Sequence, residues 1–430
     1  MRVTVVGLGK IGLPLAVHYA AQGNDVVGID VSSRTVDHVN AGVEPFPGED
    51  DLDSLLKEVS ESGALRATSD YAEGIPGADV ILVLVPLMVD AATQPDFSML
   101  DSATTSMGNH LTPGSLVIYE TTMPVGVTRN RWKPMLEQLS GLTEGTDFHL
   151  AFSPERVLTG RTFEDLRKYP KLVGGLSEEG ARRAVEFYDR NIDFHPREDL
   201  LRPNGVWDLG TAEAAELAKL AETTYRDVNI ALANQFAKFA DSHGIDIYGV
   251  IAASNSQPYS HIHQPGVSVG GHCIPVYPHL YLSGDPDAEL VAAARRVNKS
   301  MPRHAIALLT DAYGDLSGAA VAVLGASYRA GVKETAFSGV FDLVAGLAAL
   351  GAKPLVHDPL YDDDELSGLG LSSLHLGEHV DAAILHTSHP EYASLAIEVD
   401  LPGCSVLVDG RAAFKGETSS ALTVRTLGRP

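Results

Sequence analysis

Two cysteines and two tryptophans are scarce entries in a chain of 430 residues. Cys273 and Cys404 are too few for a disulfide framework, which excludes the small cross-linked secreted scaffolds and makes a reducing cytoplasm the simplest setting. Basic residues are also in short supply: 32 Lys and Arg stand against 56 Asp and Glu, a formal charge of −24. A surface this acidic repels nucleic acid and anionic lipid, so neither is expected as a partner. An anionic substrate would need a locally basic site. No run approaches the roughly 18 apolar residues of a membrane span, so none is expected. The opening MRVTVVGLGKIGLPL is broken by Gly7, Gly9 and Lys10 and reads as a strand and a turn, not as a secretory leader. No metal is expected.

What is present is the composition of a folded globular protein, with 44 % hydrophobic and 20 % charged residues. The length calls for two or three domains. Strand and helix alternate from the start: MRVTVVGLG, LPLAVHYAAQG, DVVGIDVS, ADVILVLVP, SLVIYETT, HLAFSPERV and KLVGG. That rhythm predicts a parallel sheet with helices on both faces. Residues 211–244 then run without proline, with Leu217, Leu220, Val228, Ala231 and Phe236 at broadly helical spacing. At 1.5 Å per residue such a helix reaches roughly 45 Å, enough to join two domains. The helical pattern resumes in AELVAAARRVNKSMPRHAIALLTDAYG, and a second strand-helix series follows through AAVAVLGASY, SGVFDLVAGLAALGA, KPLVHDP, DAAILHTS and SVLVDGR. The expected fold is α/β, with two Rossmann-like doubly wound domains joined by a long central helix. The expected boundaries are 1–198, 199–302 and 303–430.

Gly7-Leu8-Gly9-Lys10-Ile11-Gly12 follows a strand and opens a helix, the context in which G-x-G-x-x-G binds a dinucleotide. Gly7 permits the turn, Gly9 lets backbone approach a pyrophosphate, and Gly12 lets helix and strand pack. Asp30 ends the second strand, where a carboxylate accepts from ribose hydroxyls and repels a 2′-phosphate; NAD is therefore expected over NADP.

Gly266-Val267-Ser268-Val269-Gly270-Gly271-His272-Cys273-Ile274-Pro275 puts a thiol in a glycine-rich loop. Such a thiol is either a nucleophile that adds to an aldehyde or a bystander, and the loop alone does not decide. Cys404, in an apolar strand, reads as packing. Lys219 shares a helix face with Thr223 and Asp227, and is either a cleft lysine that stabilises an oxyanion or an ordinary solvated one.

With these segments in order, the chain resembles the UDP-glucose/GDP-mannose dehydrogenase family over nearly its whole length. The resemblance rests on VVGLGKIGLPLA, YETTMPVGVTR, FSPERVLTGR, AELAKLAETTYRDVNIALAN, VGGHCIPV, Tyr328-Arg329 and VDGR. It implies an NAD-dependent oxidation of a nucleotide-linked sugar alcohol to the acid through a thioester. GGHC and SPERV are most similar to the N-acetylmannosamine and N-acetylglucosamine branches, with glucose as an alternative sugar. By resemblance Cys273 is the nucleophile, Lys219 and Thr223 support the oxyanion, Glu155 acts in acid/base chemistry, and Thr122 holds water. The cofactor falls to Gly7, Gly9, Ile11, Gly12, Asp30, Pro86 and Thr122, and the UDP-sugar to Arg156, Val157, Lys219, Gly270, Tyr328, Arg329 and Arg411. A homodimer through the central helices is implied.

The chain departs from the family pattern at Thr223, where asparagine is usual, at Tyr277, where aspartate is usual, and at Tyr259, where arginine is usual. Lys333-Glu334-Thr335-Ala336-Phe337-Ser338 replaces D-x-R-E-S. Two rivals stand beside this reading. A β-hydroxyacid-type dehydrogenase would perform one hydride transfer without a cysteine, and a non-catalytic nucleotide-sugar binder would retain the ligand without turnover.

Overall fold

The opening segment forms β1 (Arg2–Val6), buried from Val3 onward. A strand buried on both faces belongs inside a parallel sheet, because helical crossovers cover both sides. The computed structural model describes residues 1–417 and 420–430. It divides into two compact units, residues 1–222 with 279–284, and residues 223–278 with 285–430.

In the first unit β1 lies between β2 (Asp25–Ile29) and β4 (Val80–Val83), with β3 (Leu65–Thr68) beyond β2. On the other side follow β5 (Leu116–Tyr119), β6 (His149–Phe152), β7 (Lys171–Gly175) and β8 (Val206–Thr211), giving the order β8-β7-β6-β5-β4-β1-β2-β3. The first six strands are parallel, but β7 is antiparallel to β6, and β8 follows β7. This corrects the expectation that KLVGG continues the parallel pattern. Between β6 and β7 the chain makes only the SPERV loop and a helix, Thr162–Lys168. It does not cross back over the sheet, so it re-enters at the edge it left. Lys171, first in β7, therefore stands at the same edge as the residues that end β5 and β6.

The second unit holds β9 (Ala320–Leu324), β10 (Lys353–His357), β11 (Ala382–Leu385), β12 (Val406–Asp409) and β13 (Thr423–Thr426). All are parallel, in the order β10-β9-β11-β12-β13. Residues of β9 alternate between two cores, Val321 and Val323 into one and Ala322 and Leu324 into the other. Two doubly wound sheets are thus present, as the strand rhythm predicts.

The proline-free stretch is one helix, Ala212–His243. Its residues fall to the first unit through Glu222 and to the second from Thr223. The apolar residues that mark it in the sequence do not all face inward: Leu220 and Ala231 are buried, Leu217 and Phe236 exposed. The buried arc is lined by small side chains, Ala215, Ala233, Ala237 and Ala240, while Leu217, Tyr225, Leu232, Phe236 and Phe239 form an exposed stripe. The later helical stretch is two helices, Glu289–Lys299 and Met301–Tyr313. Pro302 sits in the first turn of the second, where its missing N–H costs nothing. Among the described residues no helix is long and apolar enough to cross a membrane.

Gly12 opens the helix α1 (Gly12–Ala21), and a Cβ there would lie 1.8 Å from the Gly7 carbonyl oxygen. Gly12→Ala must push α1 off β1. It should destabilise the first unit by about 3 kcal/mol or more, lowering its thermal midpoint by roughly 6 to 12 °C. Scanning calorimetry checks this, and an unchanged midpoint would contradict the close packing.

Candidate active site

In the first unit the site begins at the turn between β1 and α1. Gly7 has φ +97°, and its N–H donates to the Ile29 carbonyl at 2.8 Å. A Cβ on Gly9 would meet nothing within 4 Å, so the turn is open on that side. No side chain caps α1 and no acidic residue lies in its first turn. Leu13 N is bonded to the Gly9 carbonyl at 3.0 Å and Pro14 has no N–H, so Gly12 N is the first-turn donor that can face an anion. Ile11 is the N-cap residue. Asp30, half-buried, accepts from Leu8 N at 2.8 Å through Oδ2 and from Ser32 N at 2.8 Å through Oδ1. Each oxygen keeps acceptor capacity for a ribose hydroxyl. An open glycine, an uncapped helix and a partly satisfied carboxylate fit the pyrophosphate and ribose of a dinucleotide. Pro86, exposed, follows β4 at the same edge. Thr122 is buried after β5, in a loop tied down by Glu216, whose carboxylate accepts from Gly126 N, Thr128 N and the Thr128 hydroxyl.

At that edge Glu155 accepts three donors. Its Oε1 takes the N–H of Arg156 at 2.6 Å and of Val157 at 3.1 Å, and its Oε2 takes Lys171 Nζ at 2.7 Å. Burial pushes its pKa up, but the charge and hydrogen bond of Lys171, the Arg156 N–H and the charge of Lys219 hold it below the ordinary value. Lys219 is only 7 % exposed, which excludes a solvated lysine. The Arg156 guanidinium bonds Glu222 at 2.8 Å and the Pro170 carbonyl at 3.2 Å. The backbone N–H groups of Arg156 and Val157 are thus committed to Glu155, although the sequence suggests these residues for substrate.

The second unit carries the thiol. Cys273 is exposed, and its carbonyl accepts from Tyr277 N at 2.9 Å, where the helix Tyr277–Gly284 begins. The glycines before it lie against one side chain. A Cβ on Gly270 would stand 2.6 Å from Tyr328 Cβ, and one on Gly271, at φ +92°, 2.9 Å from Tyr328 Cε2. Gly271 N also donates to the Ala336 carbonyl at 2.8 Å. The start of the loop is pinned by a buried chain. Arg411 Nε donates to the His386 carbonyl at 2.7 Å and Nη2 to Ser268 Oγ at 3.2 Å. Ser268 Oγ meets His386 Nε2 at 2.9 Å, and His386 Nδ1 meets the Gly325 carbonyl at 2.9 Å. A carbonyl only accepts, so Nδ1 carries the proton and the Ser268 hydroxyl donates to Nε2. Burial pushes the His386 pKa down to about 3 and that of Arg411 down to about 10.

Arg411, expected to bind substrate, thus gives one donor to the thiol loop at Ser268 and another to the His386 carbonyl, while Arg329 is exposed. Thr223 is buried and Tyr259 is 88 % exposed. Burial raises the Cys404 thiol to about 11, and it bonds the Val406 carbonyl, consistent with packing.

Family profiles described as UDP-glucose/GDP-mannose dehydrogenase NAD binding domain, central domain and UDP binding domain match residues 1–192, 213–300 and 322–416. A UDP-N-acetyl-D-mannosamine dehydrogenase of Pyrococcus horikoshii is 37 % identical over 100 % of this chain and 99 % of its own length. The chain belongs to the UDP-glucose/GDP-mannose dehydrogenase family. It is an NAD-dependent nucleotide-sugar dehydrogenase. A solved structure of a UDP-D-ManNAc dehydrogenase from the same archaeon superposes with TM-score 0.88 at 35 % identity, covering 100 % of this chain and 99 % of that one. An NDP-N-acetyl-D-galactosaminuronic acid dehydrogenase of Ralstonia nicotianae is 32 % identical over 80 % of this chain and 79 % of its own.

Sequence reasoning passes over several polar residues gathered here. Lys171 bonds both Glu155 and Glu120, Tyr188 bonds Glu120, and His386 supports the start of the thiol loop. The available signal is a polar residue directly at the end of a buried apolar strand, as in LVIYE and AAILH.

NAD should be used in preference to NADP, and Asp30→Ala should narrow the ratio of their kcat/KM values by about 10- to 100-fold, the worth of a hydrogen bond to a charged group. Saturation curves for both cofactors test this; equal efficiency in the unaltered enzyme would remove Asp30 from cofactor choice.

Proposed function

We propose that this dehydrogenase oxidises C6 of UDP-N-acetylmannosamine to the uronate through a thioester on Cys273. The observation that carries the reading is the exposed thiol on a loop whose glycines pack against Tyr328 and whose start is held by Ser268, His386 and Arg411. That arrangement spends much buried polar structure on presenting one sulfur. The names of the relatives support an N-acetylhexosamine, N-acetyl-D-mannosamine in the Pyrococcus enzyme and N-acetyl-D-galactosaminuronic acid in the Ralstonia one, and the Pyrococcus name supports mannosamine.

NAD, held by the Gly7–Gly12 turn and Asp30, supplies the hydride acceptor for both oxidation stages, so one substrate consumes two. The chain's own groups move the protons and bind the intermediates. Glu155 takes the proton as the primary hydroxyl becomes an aldehyde. The Cys273 sulfur adds to the aldehyde carbon, and Lys219 with the Thr223 hydroxyl stabilises the oxygen anion. After the second oxidation a thioester remains. Water held by Thr122 and Glu155 adds to it, and the C–S bond breaks to give the carboxylate and the free thiol. Arg329 and Tyr328 receive the nucleotide diphosphate, with Gly270 allowing close approach.

The exposed stripe Leu217, Tyr225, Leu232, Phe236 and Phe239 supports a homodimer through the central region 199–302, since single-chain exposure of five large apolar residues on one helix face marks an association surface. A cytoplasmic enzyme suits a free thiol and an NAD supply.

The test is a panel of UDP- and GDP-sugars with NAD, following NADH and product mass. UDP-N-acetylmannosamine should lead, with UDP-N-acetylglucosamine next and UDP-glucose lower by about 5- to 150-fold, the cost of leaving a buried acetamido partner unpaired. Two NADH should form per sugar. Cys273→Ala should abolish acid formation while NAD binding persists. Retained acid formation would sink the thioester, one NADH per sugar would favour a β-hydroxyacid-type reaction, and binding without turnover would favour a non-catalytic role.

A further inference from the structure

Glu155 does not stand alone at the edge of the first sheet. Lys171 Nζ lies 2.7 Å from Glu155 Oε2 and 3.0 Å from Glu120 Oε2. Tyr188 OH donates to the other oxygen of Glu120 at 2.6 Å, and Glu155 N donates to the Glu120 carbonyl at 3.3 Å. Glu120 is 1 % exposed and Lys171 5 %. Two carboxylates and one ammonium buried together carry a net negative charge, which burial disfavours, so the group tends to hold one extra proton. The donors decide where that proton sits. Glu155 accepts from an ammonium and two backbone N–H groups, all of which favour its ionised form. Glu120 accepts from the ammonium and one phenol only. Burial accordingly pushes the Glu120 carboxyl up to about 7, against the pull of Lys171.

We propose that Glu120 and Lys171 are positioning residues that set the proton affinity of Glu155, so that the working base of this site is a proton-sharing trio. When Glu120 is neutral, Lys171 serves Glu155 alone and makes it a weak base. When Glu120 is ionised, the ammonium is shared, a second negative charge stands close by, and Glu155 becomes a stronger base. One proton thus moves between Glu120 and solvent while no heavy-atom bond changes. The other groups that face the trio hold fixed charge near neutral pH or lack it. Tyr19 of α1 and Tyr188 of the helix Glu178–Asn191 are held neutral by burial, His18 is pushed down by burial while bonding the Asn191 carbonyl, and Lys219 and Arg167 are cations. Glu120 is therefore the member of this cluster that titrates in the working range. The inference rests on the proposed role of Glu155.

The experiment is the pH profile of kcat with saturating NAD and sugar. The unaltered enzyme should show a rising limb centred near neutrality. Glu120→Gln, which fixes the neutral state, should remove that limb and lower kcat at about pH 8.5 roughly tenfold, the least effect of two sites coupled by about one pK unit. KM for NAD should not move. Glu120→Asp should restore a limb at a displaced position. A limb that keeps its place and height in Glu120→Gln overturns the proposal. Should that variant not fold, infrared difference spectra of the unaltered enzyme between about pH 6 and 8 decide: loss of a buried carboxylic acid band supports the trio, and no such band overturns it. Glu155→Gln separates the two readings. Full turnover in that variant removes the acid/base role and the inference with it, whereas lost turnover beside an unmoved limb in Glu120→Gln removes the inference alone.

Discussion

A carboxylate at the end of the second strand tying down the glycine turn after the first is the constraint that both halves of this molecule obey. In the first unit Asp30 accepts from Leu8 N and Ser32 N. In the second, Asp358 accepts from Ala326 N, Ser327 N and Leu360 N. The two turns share a glycine with positive φ, Gly7 at +97° and Gly325 at +106°. What differs is what remains. Asp30 is half-buried with acceptor capacity left, and α1 starts at Gly12. Asp358 is buried and also meets His389 Nε2 at 3.2 Å, and no helix starts until Val340. The second turn has no helix N-terminus to offer a pyrophosphate. Its long connection instead supplies Tyr328 and Ala336 as the wall behind the thiol loop.

The reversal of β7 has an equally local cause and an electrostatic result. A chain that passes from β6 through a short helix without crossing the sheet must return at the same edge, and the residue opening the return strand is a lysine. Placed there, its ammonium is enclosed by the carboxylates that follow β5 and β6. An unpaired buried ammonium would be costly, and so would either glutamate without it, so removing one of the three leaves the other two with an uncompensated group.

Much of this was legible in the sequence because it is written in short spacings. G-x-G-x-x-G, Asp30 and the apolar strands each declare themselves within a few residues. So does the thiol loop, and the family motifs add Lys219 and Glu155. Direction and partnership were not legible. KLVGG reads the same whether its strand runs parallel or antiparallel, since both are apolar when buried. Lys171 and Glu120 are 51 positions apart and only the sheet brings them together. Apart from Leu220, the apolar residues on the inward arc of the long helix are alanines, which periodicity weighs lightly, while Leu217, Tyr225, Leu232, Phe236 and Phe239 face out. Arg411 in VDGR announces a cation at a strand end but not that Ser268 and His386 occupy its donors.

The groups that shape the thiol loop all belong to one compact unit: Tyr328, Ala336, Ser268, His386 and Arg411. The Gly7–Gly12 turn and Asp30, to which the cofactor is assigned by the sequence, belong to the other. Sulfur presentation and cofactor choice therefore draw on separate sets of local contacts. Asp30 is held by Leu8 and Ser32, and neither is among the residues that shape the thiol loop. One chain thus uses the same glycine turn and strand-end carboxylate twice, each time within a different set of neighbours.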